Sequence, residues 1–284
     1  MDHQAMSCDA PSAFLAVGQG IPAAAGLSLH EPASLLHAKD QLAQDASRKQ
    51  PQQRPAAAGE DNRSARFYKE RRYLLLEFPE LCQQHPPQVI AEIGCGCGSS
   101  ILPVLKANPT CRAVVTDVSP SAVEMVTAAA ARAGIQQDRI QASVLDASVP
   151  PAEDSHLAPS GPYADCLMIV FTLAALPPSS MSAMLSHAFQ ALKPGGKLLI
   201  RDHGLFDLTH LRLTAESRRG RRLYSRQDGT LCYVFSCEDL AMKATAAGFE
   251  VIESSYVRTK LLNRKTGQAM KRVFVHGVFR RRMG

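Results

Sequence analysis

The stretch AEIGCGCGSS, residues 91–100, contains residue types that could bind a ligand through the backbone or a metal through sulfur. Gly94, Gly96 and Gly98 stand at alternate positions, with Cys95 and Cys97 between them. The usual zinc spacing of cysteines is C-x2-C, and no second Cys or His pair at metal spacing accompanies this loop. Glycine permits positive φ and a close approach of the backbone to a ligand. The glycines therefore predict a ligand-binding loop, and we expect no metal.

Acidic residues at fixed places around this loop narrow the choice of ligand. Glu92 precedes the loop, Asp117 ends the next apolar run, and Asp146 ends the third. An acid at the end of a second strand can bind ribose hydroxyls, and one at the end of a third can meet an adenine amino group. A nicotinamide loop, G-x-G-x-x-G, would need glycine where Ser99 stands. Each Asp alone is equally well explained as a turn or helix-capping carboxylate.

Apolar runs and helical periods alternate along most of the chain. The sequence predicts helices over 66–81, 99–109, 119–134, 181–196 and 237–249, and strands over 88–94, 111–119, 139–147, 163–173, 197–204, 250–258 and 271–281. Continuous apolar strands between helices indicate an α/β fold with a mostly parallel, seven-stranded sheet and helices on both faces. Only a short loop separates the last two strands, which predicts a C-terminal antiparallel hairpin at one edge of the sheet.

Composition sets the domain organisation. The chain has 284 residues, of which 45% are hydrophobic. Residues 1–62 are rich in Ala, Gln, Ser and Pro and predict a flexible tail, and 63–284 predict one domain. Without eighteen consecutive apolar residues we expect no membrane span. Eight scattered cysteines without a secretory signal indicate a reduced compartment, which we take as the cytoplasm, with mitochondrion and nucleus left open.

Basic residues cluster in three runs, 63–72, 212–226 and 258–284, and the net charge is +6. A charge run is often only a solvated face. Three runs around one edge of the sheet would instead favour binding to phosphates. The candidate contacts are Lys69, Arg71, Arg212 and Arg226. Phe67 and Tyr68 could stack on a base, or could equally form the packed face of a helix.

The glycine loop, the two acids and the terminal hairpin together resemble the Rossmann-like class I S-adenosylmethionine-dependent methyltransferases. The resemblance implies S-adenosyl-L-methionine as the cofactor. Its binding set would be Glu92, Gly94, Gly96, Gly98, Asp117, Asp146 and Val170.

Three further segments resemble one group within that class. They are FYKER (67–71), RDHGLFD (201–207) and YSRQDGT (224–230). The methyltransferase-like enzymes that make 3-methylcytidine in tRNA carry F-[FY]-K-[DE]-R, R-D-x-G-x-x-D and Y-x-R-Q-D-G-T in this order. The resemblance covers roughly 63–280 and implies tRNA as the substrate, with a cytosine of the anticodon loop as the target. It leaves open an aminoacyl-tRNA synthetase or another adaptor protein as a partner.

The chemistry of that reaction selects candidate catalytic residues. Cytosine N3 has a free lone pair at neutral pH, so the site must align the base and offset the positive charge that grows on it. Asp202, after the fifth strand, is our first candidate for the charge, with Arg201 beside it gripping the nucleotide and Asp207 as a second acid. Arg201 and Asp202 could instead form an ion pair that fixes the loop.

One departure from the family keeps other functions open. Family members commonly carry W-x-x-F-Y shortly before F-[FY]-K, whereas this chain has PAAAGEDNRSA there and no tryptophan. The alternatives are a class I methyltransferase acting on a protein or small molecule, and a non-catalytic subunit that binds RNA or the donor.

Overall fold

The computed structural model describes residues 69–83, 85–151, 162–262, 267 and 269–283. The predicted tail, 1–62, lies outside these ranges, as do Phe67 and Tyr68. The helices are α1 (Leu74–Glu77), α2 (Ile101–Ala107), α3 (Pro120–Arg132), α4 (Pro178–Ala191), α5 (Leu208–Arg212) and α6 (Cys237–Ala246). The strands are β1 (Val89–Ile93), β2 (Arg112–Asp117), β3 (Ile140–Val144), β4 (Ala164–Val170), β5 (Leu192–His203), β6 (Arg218–Gly220), β7 (Leu223–Ser225), β8 (Leu231–Tyr233), β9 (Phe249–Leu262) and β10 (Ala269–Arg281).

Seven strands form the main sheet in the order β3-β2-β1-β4-β5-β10-β9. Strands β1 to β5 pair in parallel, and β10 is antiparallel to both of its neighbours. The predicted mostly parallel sheet and edge hairpin are therefore confirmed. The chain order reverses between β1 and β4, which is where open α/β sheets bind their ligands, at the carboxyl ends of the strands.

Helices cover both faces of this sheet, as predicted. Ile90 and Leu199 pack on the face covered by α1, α2 and α3. Their chain neighbours Ala91 and Ile200 pack on the opposite face, against α4 and α6. Because successive side chains of a strand point to opposite faces, adjacent residues at the end of β5 reach different surroundings.

Capping chemistry fixes α3 as the sequence predicts. The Ser119 hydroxyl accepts a hydrogen bond from the Ala122 amide at 3.4 Å, and Pro120 occupies the first helical position. Gly134 follows the helix with φ of 71°. This helix begins directly after β2, so its amino end lies at the ligand-binding edge. None of the helices in the described ranges is long and apolar enough to cross a membrane.

The helix predicted over 66–81 is wrong for most of its described part. Only Leu74–Glu77 is α-helical, and a 3₁₀ turn, Pro79–Cys82, follows. The Arg71 amide donates to the Ser99 carbonyl at 2.8 Å, so a long-range bond replaces the helical one. Pro79 has no amide hydrogen with which to continue α1. This segment is therefore a strap across the start of α2.

The excursion between β5 and α6 holds structure that the sequence did not predict. It contains α5 and a separate antiparallel sheet in the order β6-β7-β8. Each of these strands has three residues, which is too short for a period to be recognised. The terminal hairpin is also longer than predicted, because β9 runs on to Leu262 and β10 starts at Ala269.

Candidate active site

The glycine loop after β1 forms a cradle that side chains would fill. Gly94, Gly96 and Gly98 have φ of 77°, 52° and 83°. A Cβ on Gly94 would lie 2.1 Å from Thr172, and one on Gly98 would lie 2.7 Å from Val126. A Cβ on Gly96 would meet nothing within 4 Å. At Gly94 and Gly98 a side chain would both clash with its neighbours and be strained by the positive φ. At Gly96 the space beside the backbone is open.

Asp117, at the end of β2, is tied to this loop. Its Oδ2 accepts a hydrogen bond from the Gly96 amide at 2.9 Å, and its Oδ1 accepts one from Ser119 at 3.0 Å. The carboxylate therefore shapes the loop and starts α3. It stands at the strand end where the sequence places a contact to ribose hydroxyls, and that contact stays a prediction.

Asp146 and Val170, two predicted contacts of the cofactor, differ in their exposure to solvent. Asp146 is exposed, and its Oδ1 accepts hydrogen bonds from the Ser148 hydroxyl and amide at 2.6 and 2.9 Å. These bonds lower the pKa of Asp146. Val170 is only 2% exposed, so β4 presents mainly the next residues, Phe171 and Thr172, at this edge.

Glu92 is a buried carboxyl near Arg71 and Ser100. It is 1% exposed, and neither carboxylate oxygen meets a donor of good geometry among the described residues. Burial raises its pKa to about 8, although the positive charge of Arg71 opposes the shift. A buried carboxyl next to a glycine cradle fits a cationic ligand, and S-adenosylmethionine carries positive charge on its sulfonium and amino groups.

Replacing Glu92 with glutamine should change how stability depends on pH. An unfolded glutamate ionises near pH 4.3, while folded Glu92 ionises at about 8. Between these values the folded state holds more protons than the unfolded state, so wild-type stability falls as pH rises. Glutamine cannot ionise. From pH 5 to pH 8 we expect Glu92→Gln to gain about 1–3 kcal/mol of unfolding free energy relative to wild type.

Urea unfolding of both proteins at several pH values measures this difference. Glu124→Gln is a matched control because Glu124 is exposed on α3. The unfolding free energy of the control should change with pH in the same way as that of wild type. If Glu92→Gln also ran parallel to wild type, the buried, protonated state of Glu92 would be wrong.

Cys95 of the loop is a poor nucleophile. Cys95 is 3% exposed, and burial raises the pKa of its thiol well above the usual range. Seven cysteines in the described ranges are free. Those ranges contain no group of three metal-ligating side chains. The chemistry of the loop therefore rests on its glycines and on Glu92.

Arg201 and Asp202 project to opposite faces at the end of β5. Arg201 forms a buried ion pair with Glu77, and its guanidinium lies between the rings of Tyr73 and Phe274, at 4.5 and 4.3 Å. Burial lowers its pKa to about 10, which leaves it charged at neutral pH. Arg201 thus forms a structural ion pair, but with Glu77 of the strap and not with Asp202 of its own loop, and its contact with a nucleotide stays a prediction.

Asp202 is fully buried on the other face. Its Oδ2 accepts the Ala174 amide at 2.9 Å and its Oδ1 accepts its neighbour's amide, that of His203, at 2.8 Å. Burial raises its pKa. The carboxylate thus anchors the turn after β4. It also places negative charge next to the backbone of His203.

His203 joins two of the sequence motifs, RDHGLFD and YSRQDGT, in space. Arg226 Nη2 lies 3.0 Å from His203 Nε2, and Nδ1 lies 3.5 Å from Asp207 Oδ2. A guanidinium only donates, so Nε2 must accept. Nδ1, on the other side of the ring, faces the Asp207 carboxylate. The predicted residue Arg226 is in this way brought to the end of β5.

Asp207 is an anchor for the terminal hairpin. Its carboxylate accepts two hydrogen bonds from Arg272, at 2.8 and 3.0 Å, and one each from the Thr209 and Val273 amides. Burial acts to raise its pKa, but the hydrogen bonds from His203 and Arg272 hold it well below the usual range. Its predicted contact with substrate is untested, and these bonds account for an acid at this position.

Phe171 is an unpredicted member of the site. It is a non-glycine residue with φ of 58°, directly after β4. Its ring lies 5.2 Å from the His203 ring, and the Arg71 guanidinium lies 5.1 Å from its centroid. Strained residues of this kind cluster at functional sites. Phe171 joins the donor cradle to the end of β5, and a left-handed φ leaves no mark in sequence periodicity.

The basic runs divide between the two ends of the sheet. Lys69 and Arg212 are exposed, and Arg71 bonds the Ser100 hydroxyl at 2.8 Å beside the donor loop. Phe274 pairs with His203, but Arg280 pairs with Lys197 at the opposite end of β5. The expectation that the whole third run flanks the candidate site is therefore wrong for its last arginines.

The chain matches a family model described as a methyltransferase domain over residues 63–254. It is 34% identical to human tRNA N(3)-cytidine methyltransferase METTL6, covering 76% of this chain and 75% of that protein. It is 33% identical to Drosophila melanogaster tRNA N(3)-methylcytidine methyltransferase Mettl2, covering 76% and 67%. This chain belongs to the tRNA N(3)-cytidine methyltransferase family. A Saccharomyces cerevisiae relative, named tRNA(Thr) (cytosine(32)-N(3))-methyltransferase, is 34% identical over 77% of this chain and 35% of its own length.

Solved structures agree with the methyltransferase family at the level of the fold. A SAM-dependent methyltransferase from Methanosarcina mazei matches with a TM-score of 0.54 and 20% identity, covering 72% of this chain and 97% of its own. The family's cofactor is S-adenosyl-L-methionine. In this member the residues that fit it are Glu92, Gly96 and Asp117, on neighbouring strand ends.

Glu77 is the second residue of the methyltransferase site region that the sequence did not reveal. Its carboxylate pairs with Arg201 and lies 3.3 Å from His276 Nδ1. The segment holding Glu77 was interpreted as a regular helix, in which a glutamate is ordinarily a surface residue. The signal that could have found it is the excess of buried charge at the end of β5, where Arg201 needs a partner.

Proposed function

We propose that this chain is an S-adenosylmethionine-dependent tRNA methyltransferase that forms 3-methylcytidine. Membership of the tRNA N(3)-cytidine methyltransferase family, at 34% identity over three quarters of both chains, is the observation that carries the proposal. The name of the yeast relative specifies cytosine 32, and the resemblance of the three motifs implies a target in the anticodon loop. We extend the same location to the target of this chain.

The donor, when bound, supplies a methyl group on a sulfonium. Glu92, once ionised, stabilises positive charge beside the cradle, and Asp117 offers oxygen atoms to hydroxyl groups. The unobstructed backbone at Gly96 permits close contact. These three residues bind and orient; none of them has to accept a proton from the acceptor base.

For the cytosine that receives the methyl group, the site must supply alignment and negative charge more than a general base. Cytosine N3 needs no deprotonation, and methylation leaves a positive charge on the ring. Asp202 places negative charge in a buried environment, where it acts more strongly than in water. The rings of His203 and Phe171 lie 5.2 Å apart at this edge of the sheet and offer faces against which an unstacked base can lie.

Basic residues at this edge of the sheet support a tRNA acceptor. Arg212 and Arg226 flank the same edge as Asp202, and Lys69 is exposed on the strap. Such contacts release counterions and make binding depend on salt. We further propose that an adaptor protein, of which an aminoacyl-tRNA synthetase is one class, helps to present the tRNA, and that the enzyme acts in the cytoplasm.

Transfer of a labelled methyl group tests the acceptor class. Purified chain and labelled donor are incubated with a cell extract, which is then separated into tRNA, protein and small molecules. We expect label in the tRNA fraction alone, falling steeply as salt increases. Label confined to protein or small molecules would overturn the proposal in favour of another methyltransferase activity.

A further inference from the structure

A cleft of about 580 Å³ lies beside the candidate active site. Its walls come from α5, the turn at 225–228 and strand β10. Three guanidinium groups line it, those of Arg212, Arg226 and Arg272, together with the hydroxyls of Thr214 and Ser217. Met270 adds an apolar wall. This mixture of cations, hydroxyls and one apolar surface is suited to a sugar phosphate with its base.

The three cations of the cleft differ in what they already bind. Arg272 is neutralised by two hydrogen bonds to Asp207. Arg226 holds His203 and the Cys232 sulfur. Arg212 is exposed and forms no ion pair within the described part of the chain. Arg212 is therefore the cation that is available to an incoming anion.

The single carboxylate in the lining does not neutralise Arg212. Asp228 Oδ1 accepts hydrogen bonds from the Thr230 amide and hydroxyl at 3.0 and 2.7 Å, which close the turn at Gly229. These bonds lower the pKa of Asp228 and keep it an acceptor within its own turn. The cleft retains a net positive charge.

A line of contacts leads from the cleft to the donor loop. Arg226 lines the cleft and lies 3.0 Å from His203. The His203 ring lies 5.2 Å from that of Phe171, and the next residue, Thr172, bonds the Gly94 carbonyl at 3.3 Å. The Arg226–His203 pair thus connects the cleft, through Phe171 and Thr172, to the loop that forms the cradle.

We propose that this cleft binds the nucleotide next to the target cytidine, with its phosphate on Arg212. The inference rests on the proposed function, because it assumes that the target base lies against Phe171 and His203. Phosphate contacts set the register of a nucleic acid on a protein. The cleft would thus hold the neighbouring nucleotide in place. The unstacked target cytidine would then lie against Phe171 and His203, beside the methyl donor.

Salt dependence of tRNA binding tests the phosphate contact. We expect Arg212→Gln to weaken tRNA binding about fivefold or more, and to reduce the slope of log K against log salt by roughly 0.7–0.9. Arg212→Lys keeps the charge and should restore most of the slope. Arg112→Gln, an exposed arginine at the amino end of β2, should behave as wild type.

Three results would overturn the assignment. The first is an unchanged slope and affinity for Arg212→Gln. The second is equal loss in Arg112→Gln, which would mean a diffuse charge effect. The third is binding of cytidine 5′-monophosphate in the absence of tRNA that Arg212→Gln abolishes, which would assign the cleft to a free nucleotide. Binding of S-adenosylhomocysteine, measured by calorimetry, should be the same in all variants.

The binding assay needs no turnover, so it separates this inference from the proposed function. A wild type that binds tRNA with the expected slope but forms no 3-methylcytidine would contradict the function and leave the cleft assignment standing. Formation of 3-methylcytidine with unchanged binding by Arg212→Gln would contradict the cleft alone.

Discussion

Replacement of Asp202 with alanine is expected to lower the rate of methyl transfer by about a hundredfold or more. The loss of one fixed charge aimed at a transition state typically costs two to three orders of magnitude. Asp202 is fully buried and holds the turn after β4 through the Ala174 amide, at 2.9 Å. The substitution removes both the negative charge and this anchor.

The variant Asp202→Asn separates charge from anchoring, because it keeps the size of the side chain. Burial raises the pKa of Asp202, so the wild-type carboxylate loses its charge as pH falls, earlier than an exposed aspartate would. We expect wild-type activity to decline over that pH range and the residual activity of Asp202→Asn to be flat. Asp138→Ala, an exposed residue just before β3, is the control. Full activity in Asp202→Asn would rule out an electrostatic role.

Replacement of Glu77 with glutamine is expected to lower the free energy of unfolding by about 3–5 kcal/mol. The Arg201 side chain is 4% exposed, and its ion pair with Glu77 supplies the nearest opposite charge. Removing one partner of a buried pair leaves an uncompensated charge, which is the costly case. Stacking between Tyr73 and Phe274 offsets only part of that penalty.

Urea unfolding measures this effect against a matched surface pair. Arg280 and Glu250 form an ion pair whose side chains are both 45% exposed. Glu250→Gln should cost less than about 1 kcal/mol, because exposed pairs contribute little. The double variant Glu77→Leu with Arg201→Met should recover much of the loss. A loss below 1 kcal/mol in Glu77→Gln would mean that this ion pair does not hold the strap.

The parallel sheet could be predicted because its signals are local. Four of the five parallel strands end in a glycine or an acid, and helix α3 carries its own cap in Ser119 and Pro120. The strap could not be predicted in this way. Its helical period is real, but the bond from Arg71 to Ser99 and the pair between Glu77 and Arg201 join residues far apart in sequence, and these long-range contacts override propensity.

The glycine loop after β1 and the end of β5 also differ in how much of each could be predicted from local sequence. Alternating glycines and three strand-end acids specified the cradle, because one loop contributes most of it. Asp202 and Arg201 both lie at the end of β5, as predicted, but only the sheet reveals that Arg201 faces the opposite side, and their roles in catalysis stay predictions. Phe171 joins the two halves through a left-handed backbone that periodicity does not register.

Nucleoside analysis of tRNA by mass spectrometry tests the central claim most directly. Purified chain is incubated with S-adenosylmethionine and total tRNA, with and without added aminoacyl-tRNA synthetases, and the tRNA is digested to nucleosides. The proposed function predicts donor-dependent 3-methylcytidine, strongly reduced in Asp202→Ala. No 3-methylcytidine from folded, donor-binding wild type under either condition would contradict it.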